Sequence, residues 1–367
     1  MYILYMGDDS GTSSKFMAIL LSILGFFVAG AGSVLYMRGF SMMKARGRSF
    51  EHPFFTCLLM FIGEYAILML FYITKKFGMV YKAEEGLPKV NPLILAIPSF
   101  LDLLGSTLGF FAMFFLAASV SQMMMSVMML TTCVLSIIFL KKRYFRQHWT
   151  GFLIILVGVT IVATNAVVQS NRNPTAAATN TQPIGIIMYL LSLIIQATQC
   201  VTEEIIFRKF TCHPLECVGY EGASGILYYL ILLPIFQFIN VPKKVSIYGV
   251  LENSVEALSQ CAANKYILLM VITYPMIIAV LNVSGQGITK YLSALHRTII
   301  AQCRTVLVWV VALIIGWEKF YVLQLVGFAF VIFGSLLYNE IIVLPCGGFN
   351  LYTKKALAAK AREGTQE

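Results

Sequence analysis

Ten stretches of this chain are each apolar over the roughly 20 residues that a helix needs to cross a bilayer. They cover 16–37, 53–74, 93–115, 118–140, 150–168, 184–206, 218–240, 266–289, 292–315 and 320–340. Backbone N–H and C=O groups in lipid must be satisfied within the membrane, so runs of this kind become helices. Composition agrees. Only 12% of the 367 residues are charged, against about 25% in soluble domains. The net charge of +10 does not point to nucleic acid, because the basic residues lie in short loops between apolar runs.

Several function classes fall away. The chain has four His, no His/Glu metal pattern, no Gly-x-Ser-x-Gly and no phosphate-cradling loop, so no catalytic residues, no enzyme and no cofactor are expected. Glu203 and Glu204 are adjacent and point about 100° apart on a helix, which suits paired acid–base work poorly. Of eight Cys, Cys57, Cys133 and Cys303 fall inside apolar runs as small hydrophobes. Cys212-His213 and Cys217 fall short of the ligands a zinc ion needs. They read as free thiols at a helix–loop junction, with no disulfide framework and no metal site. Residues 1–14 carry Asp8 and Asp9 and no basic residue, so no cleaved targeting segment is expected and the first apolar run is kept.

The chain divides near its middle. Residues 169–183 are polar, small and Pro-interrupted, and read as a linker between 1–168 and 184–345, followed by a basic tail over 346–367. The two halves repeat. Gly151-Phe-Leu-Ile-Ile-Leu-Val-Gly158 matches Gly327-Phe-Ala-Phe-Val-Ile-Phe-Gly334, and His52-Pro53 matches His213-Pro214. Five spans per unit make the second unit enter from the opposite side, which gives an inverted repeat. The loops and tails on the side of both termini carry 16 Lys and Arg against nine opposite, so both termini are expected on the cytosolic or an equivalent side. Loop 241–265, with Leu251, Val255 and Leu258 beside Glu252 and Glu256, is expected to hold an amphipathic surface helix.

Charges inside the spans carry the functional signal. Each costs about 2.5–3.5 kcal/mol at the centre of a spanning helix and survives by facing protein or water. The chain places Glu64, Asp102, Glu203, Glu204, Arg297 and Arg304 there, whereas Glu221, near a predicted helix start, is able to snorkel. Polar stripes run beside them: Ser119, Gln122 and Ser126; Ser192, Gln196, Gln199 and Glu203; Asn282, Gln286 and Thr289; Thr298, Gln302 and Thr305. Such residues also glue helices together. Four stripes with six charges favour a wet cavity. Arg304 is expected to find a counter-charge among Glu64, Asp102 and Glu203.

The span from about 16 to 345 resembles the drug/metabolite transporter superfamily, above all the F branch of solute carrier family 35 and the chloroquine-resistance-transporter-like proteins. The resemblance rests on His52-Pro53 with Phe61-Ile-Gly-Glu64, Asn91-Pro92-Leu93, Asp102 with Gly105, Glu203-Glu204, and His213-Pro214 through Gly222. It continues in Thr289-Lys290, Leu292-Ser293-Ala294, Arg297, Arg304-Thr305-Val306 with Trp309, Gly316-Trp317-Glu318 and Leu337-Tyr338-Asn339. It implies an all-α polytopic membrane protein with ten transmembrane helices in two inverted five-helix repeats around a central cavity. This chain departs from the family at Met125, where relatives carry arginine, and at Tyr291 and Ala301, where close relatives carry acids.

The expected function is transport of a small organic solute (a nucleotide sugar, nucleotide, amino acid or peptide, or amine) by alternating access. Substrate contacts are expected at Gln122, Ser126, Gln199, Asn282, Thr298 and Gln302, and intramembrane charge or coupling at Glu64, Asp102, Glu203, Arg297 and Arg304. The expected partners are lipid and the small-molecule substrate, with a second copy or a larger membrane complex at the tails and loops. The expected site is an organelle membrane: Golgi, lysosome or vacuole, or mitochondrial inner membrane. A second reading stays open, a transporter-derived accessory subunit of a larger assembly, in which Met123, Met124 and Met125 would fill the centre.

Overall fold

Pro53, Pro92, Pro183 and Pro214 each open a helix, the position where proline's missing N–H costs nothing and its fixed φ suits the first turn. The computed structural model describes residues 9–77, 87–113, 118–172, 183–242, 246–315 and 321–343. In chain order they form α1 (Asp9–Met42), β1 (Lys44–Ala45), β2 (Arg48–Ser49), α2 (Pro53–Lys76), α3 (Pro92–Met113), α4 (Ala118–Leu140), α5 (Arg146–Arg172), α6 (Pro183–Lys209), α7 (Pro214–Phe238), α8 (Ser254–Ala263), α9 (Lys265–Tyr291), α10 (Ala294–Ile315) and α11 (Val322–Tyr338). The amino terminus, most of the expected linker and the basic tail lie outside the described residues.

Six of these helices, α1, α2, α3, α6, α7 and α9, contain stretches long and apolar enough to cross a membrane. Shorter apolar stretches lie at Val127–Leu140, Arg146–Val162 and Val322–Tyr338. The chain is thus a helical, polytopic membrane protein. Several helices run past the expected spans. α1 begins at Asp9, α5 continues to Arg172 inside the expected linker, and α7 starts at Pro214 rather than 218. Apolarity marks only the part of a helix in lipid, whereas backbone hydrogen bonding carries on through a polar end.

Glycines set how closely the helices approach. α5 and α11 cross at Gly151 and Gly158 of one and Gly334 and Gly327 of the other. A Cβ on Gly158 would stand 2.6 Å from the Gly327 carbonyl oxygen, and one on Gly334 2.7 Å from that of Gly151. On α7, Gly219 meets the backbone of Leu68 in α2, with its would-be Cβ 2.8 Å from the Leu68 Cα, and Gly222 meets Glu64 and Tyr65. α3 packs on α6 and α7, α9 on α1 and α2, and α10 on α1, α4 and α11. Large apolar side chains such as Leu93, Phe238 and Ile314 point outward, each at least 78% exposed, as a surface facing acyl chains requires.

At one end, loop and surface helix are joined by a carboxylate. Arg46 and Gly47, both at positive φ, turn β1 back onto β2, as a tight two-residue hairpin demands. The chain then reaches His52, whose Nδ1 lies 2.7 Å from Glu252 Oε1. Glu252 Oε2 accepts the Phe54 and Phe55 N–H groups at 3.0 and 3.2 Å, two of the otherwise unpaired donors at the start of α2. Glu252 is therefore buried rather than on the polar face of a surface helix. The amphipathic helix itself is present as α8. Val255 and Leu258 are exposed and Ala257, Gln260 and Cys261 buried, with the Asn253 side chain accepting the Glu256 N–H at 3.0 Å.

At the other end, His213 occupies the matching place before α7. Its Nδ1 accepts the Leu215 N–H at 3.3 Å. Burial, helped by the Lys290 charge, pushes this imidazole down to about 4, so it is neutral and free to accept. The expectation of free thiols at Cys212 and Cys217 is overturned. They form a disulfide. The turn of the chain into α7 at His213-Pro214 brings Cys212 back beside the first helical turn, 6.4 Å from Cys217 between Cα atoms. Lys290 Nζ, at the end of α9, donates to the Cys212 carbonyl at 2.9 Å.

Candidate functional site

The close contact of α2 with α7, where Gly222 meets Glu64, brings Glu64 and Glu221 into one layer. Asn282 of α9 donates through Nδ2 to Glu64 Oε1. Four residues on, Gln286 Nε2 donates to Glu221 Oε2 at 2.6 Å. Both carboxylates are buried, at 2% and 6% exposure. Glu221 does not snorkel: the glycines around it draw α7 onto α2 and turn its side chain inward.

On the next wall, α6 carries the principal ion pair. Glu203 Oε2 receives Arg297 NH1 of α10 at 2.5 Å, and Glu203 Oε1 accepts from Gln199 Nε2 at 3.2 Å. Arg297 reaches α6 across Gly285 of α9, where a Cβ would stand 2.8 Å from its Nε. Asp102 of α3 completes the group, accepting from Ser106 Oγ at 3.0 Å and lying in hydrogen-bonding reach of Gln199.

Arg304 lies apart from the acids. It is seven residues beyond Arg297, about 10 Å further along α10. Its guanidinium carbon sits 5.2 Å over the Phe26 ring of α1, in a slot left open by Gly30. Among the described residues it has no ion pair with Glu64, Asp102 or Glu203. The expected counter-charge is taken by Arg297, which stands level with the acid layer.

The structure divides the polar stripes between the two roles open to them. In α6, Ser192 Oγ donates to the Gly105 carbonyl at 2.7 Å and Gln196 bonds Ser192; these tie α3 to α6. Gln199 and Glu203, one turn further, belong to the charged layer. In α10, Thr298 Oγ1 donates to the Leu295 carbonyl of its own helix, and Gln302 is buried. The side chains of Gln122, Ser126 and Met123 lie outside the described residues. Met124 packs with Ala112, Tyr189 and Leu193, whereas Met125 is partly exposed.

Glu204 is a tether that the sequence only half revealed. Its Oε1 takes Lys142 Nζ at 2.6 Å and Arg208 NH2 at 2.9 Å. Its Oε2 takes the Ala294 N–H at the start of α10 at 2.9 Å. The i,i+4 pairing with Arg208 is a local signal; the bonds to the α4–α5 connection and to α10 are not.

Comparison with known proteins fits this layout. The model of the family "Nucleotide-sugar transporter" matches residues 14–211. Solute carrier family 35 member F6 of Mus musculus is 32% identical over 294 residues, 79% of this chain and 78% of that protein. The Homo sapiens protein of the same name is 30% identical over 80% of each. A UDP-xylose and UDP-N-acetylglucosamine transporter of Danio rerio is 24% identical over 58% of this chain and 65% of its own. One solved crystal structure shares the fold with a TM-score of 0.61 at 11% identity, covering 89% of this chain and 98% of that one. A bundle of apolar helices around enclosed charges, with these relatives, defines a membrane transporter of solutes and not an enzyme. The chain belongs to the nucleotide-sugar transporter family, in the F branch of solute carrier family 35 within the drug/metabolite transporter superfamily.

Proposed function

We propose that this chain carries a small organic solute across an organelle membrane by alternating access. Ten helices span, as two inverted repeats, α1–α5 and α6, α7, α9, α10 and α11; α8 lies on the surface. The observation that carries this reading is the pattern of principal helix contacts. Exchanging the units turns α3·α6 into α9·α1, α2·α9 into α7·α3, α4·α6 into α10·α1, and α4·α5 into α10·α11, and all of these contacts occur. The pairs α2·α7, α5·α11 and α4·α10 map onto themselves. A two-fold axis in the membrane plane lets one arrangement of the helices convert into its mirror-sided equivalent around a fixed site. That site is the charged layer of Glu64, Asp102, Glu203, Glu221 and Arg297, with Asn282, Gln199, Thr298 and Gln302 as the polar contacts, joined by Gln122 and Ser126 of α4 as the sequence pattern suggests. Both termini face the cytosol, on the side richer in Lys and Arg. The Danio rerio relative, by its name a carrier of UDP-sugars, supports transport of a small organic molecule.

The test is uptake into proteoliposomes holding the purified chain, with nucleotide sugars, nucleotides, amino acids, short peptides and amines offered separately. Uptake of at least one compound well above that of empty vesicles is expected. Uptake of none would leave the accessory-subunit reading in its place.

A further inference from the structure

The turn between α6 and α7 joins three connections at one end of the bundle. The Thr211 N–H donates to the Pro88 carbonyl at 2.9 Å, and the Thr211 carbonyl accepts the Val90 N–H at 3.4 Å, so the chain leading into α3 is held. Lys290, at the end of α9, donates to the Cys212 carbonyl at 2.9 Å. His213 accepts the Leu215 N–H and starts α7. The disulfide between Cys212 and Cys217 fixes this turn on the first helical turn of α7. Both cysteines are buried, at 4% and 1% exposure, and pack with Val90, Leu95, Ile206 and Phe207.

The bridge stands beside the charged layer. Cys217 precedes Glu221 by about one helical turn on the same face, and it lines a common gap with Glu203 and Glu221. Opening this end of the bundle to water requires residues 211–213 to part from Pro88, Val90 and Lys290. With ten spans and both termini cytosolic, the α6–α7 turn faces the cytosol. A permanent structural disulfide suits a lumen or the cell exterior, whereas a cytosolic one is as a rule transient and redox-sensing.

Resting on the topology of the transport reading above, we propose that Cys212 and Cys217 are a reversible thiol–disulfide site that holds the cytosolic end shut when oxidised and frees it when reduced. The oxidant is a low-molecular-weight or protein disulfide. One thiolate of the pair attacks it and releases a thiol, and the second thiolate attacks the mixed disulfide and releases the other. Two electrons and two protons pass from the pair to the oxidant, and a dithiol reductant reverses both steps. The buried bond is shielded while the end is closed, and an attacking thiolate reaches it when the turn lifts.

The test is hydrogen exchange of the full chain in detergent, oxidised with glutathione disulfide or reduced with dithiothreitol, with alkylation and mass spectrometry reading the state of the pair. Segments 87–91 and 209–213 are expected to exchange at least tenfold faster when reduced. The start of α2 at Phe54 and Phe55, tied to Glu252, should not change. Cys212→Ser with Cys217→Ser should exchange at the reduced rate with or without dithiothreitol. If that variant fails to fold, the comparison of the two states of the unaltered chain needs no variant. Equal exchange in both states, or an equal rise in all three segments, would overturn the proposal. In intact cells trapped with a permeant alkylating reagent, part of the pair is expected as thiols, converted to the disulfide by a brief thiol oxidant. A pair that stays thiol after the oxidant would overturn the switch. A pair found wholly as disulfide without it would do so too, and would put the turn in a lumen, against the topology. Uptake of a solute into proteoliposomes would in either case leave transport standing.

Discussion

Replacing Arg297 by methionine is expected to destabilise the folded chain by about 3–5 kcal/mol, the usual cost of removing one partner of a buried ion pair. Methionine keeps most of the apolar stem that crosses α9 at Gly285, so packing is roughly preserved and the loss is electrostatic. What is left is Glu203, 2% exposed, with Gln199 as its remaining donor and with Glu64, Asp102 and Glu221 in the same layer. The double variant Arg297→Met with Glu203→Gln should recover much of the loss, because a neutral amide needs no counter-charge. Arg297→Lys should recover less, since a point charge cannot reproduce the guanidinium fork. Unfolding of the four proteins in a graded detergent series measures this. Equal stability of Arg297→Met and the parent would show that the pair does not bear on the fold.

The second large effect is expected at the crossing of α5 and α11. Alanine normally favours a helix over glycine by about 1 kcal/mol. At Gly158 the sign should reverse, because the new Cβ would stand 2.6 Å from the Gly327 carbonyl oxygen and 2.8 Å from the Val331 nitrogen. Those are backbone atoms and cannot swing away, so the helices must part, at about 1–3 kcal/mol for overpacking of this kind. Gly32 is the control. Its would-be Cβ meets only Ile277, at 3.5 Å, and Gly32→Ala should be neutral or mildly stabilising. The same unfolding series separates the two, and equal behaviour of both variants would contradict the close crossing.

What was legible in the sequence is what depends on short stretches of it. Helices follow from runs of apolar residues: each expected run holds a helix, and six of those helices contain stretches long and apolar enough to cross a membrane. The motifs Gly151 to Gly158 and Gly327 to Gly334, alike in sequence, touch in space. Intramembrane acids stood out by their cost. Pairings between distant segments did not. That Glu203 takes Arg297 rather than Arg304 depends on the height of each side chain along α10 relative to α6. The joining of Cys212 to Cys217 depends on how the chain turns at His213-Pro214, and the turning inward of Glu221 on the glycines of α7. Glu252 was read as part of a surface stripe because nothing in its own neighbourhood shows that the start of α2 lies against it.

The central claim is that the middle of this protein is a water-reached passage between two repeats and not a filled core. Met125 probes it, since it is partly exposed and stands where relatives carry an arginine. Met125→Cys, in a chain whose Cys57, Cys133, Cys200, Cys261, Cys303 and Cys346 are replaced by serine or alanine, can be exposed to a membrane-impermeant thiol reagent from each side of sealed vesicles in turn. The account predicts modification from both sides, each arising from one of the two alternating arrangements. A thiol that reacts from neither side, in vesicles where a cysteine placed at an exposed loop position reacts fully, would mean a filled centre and would contradict transport by this chain.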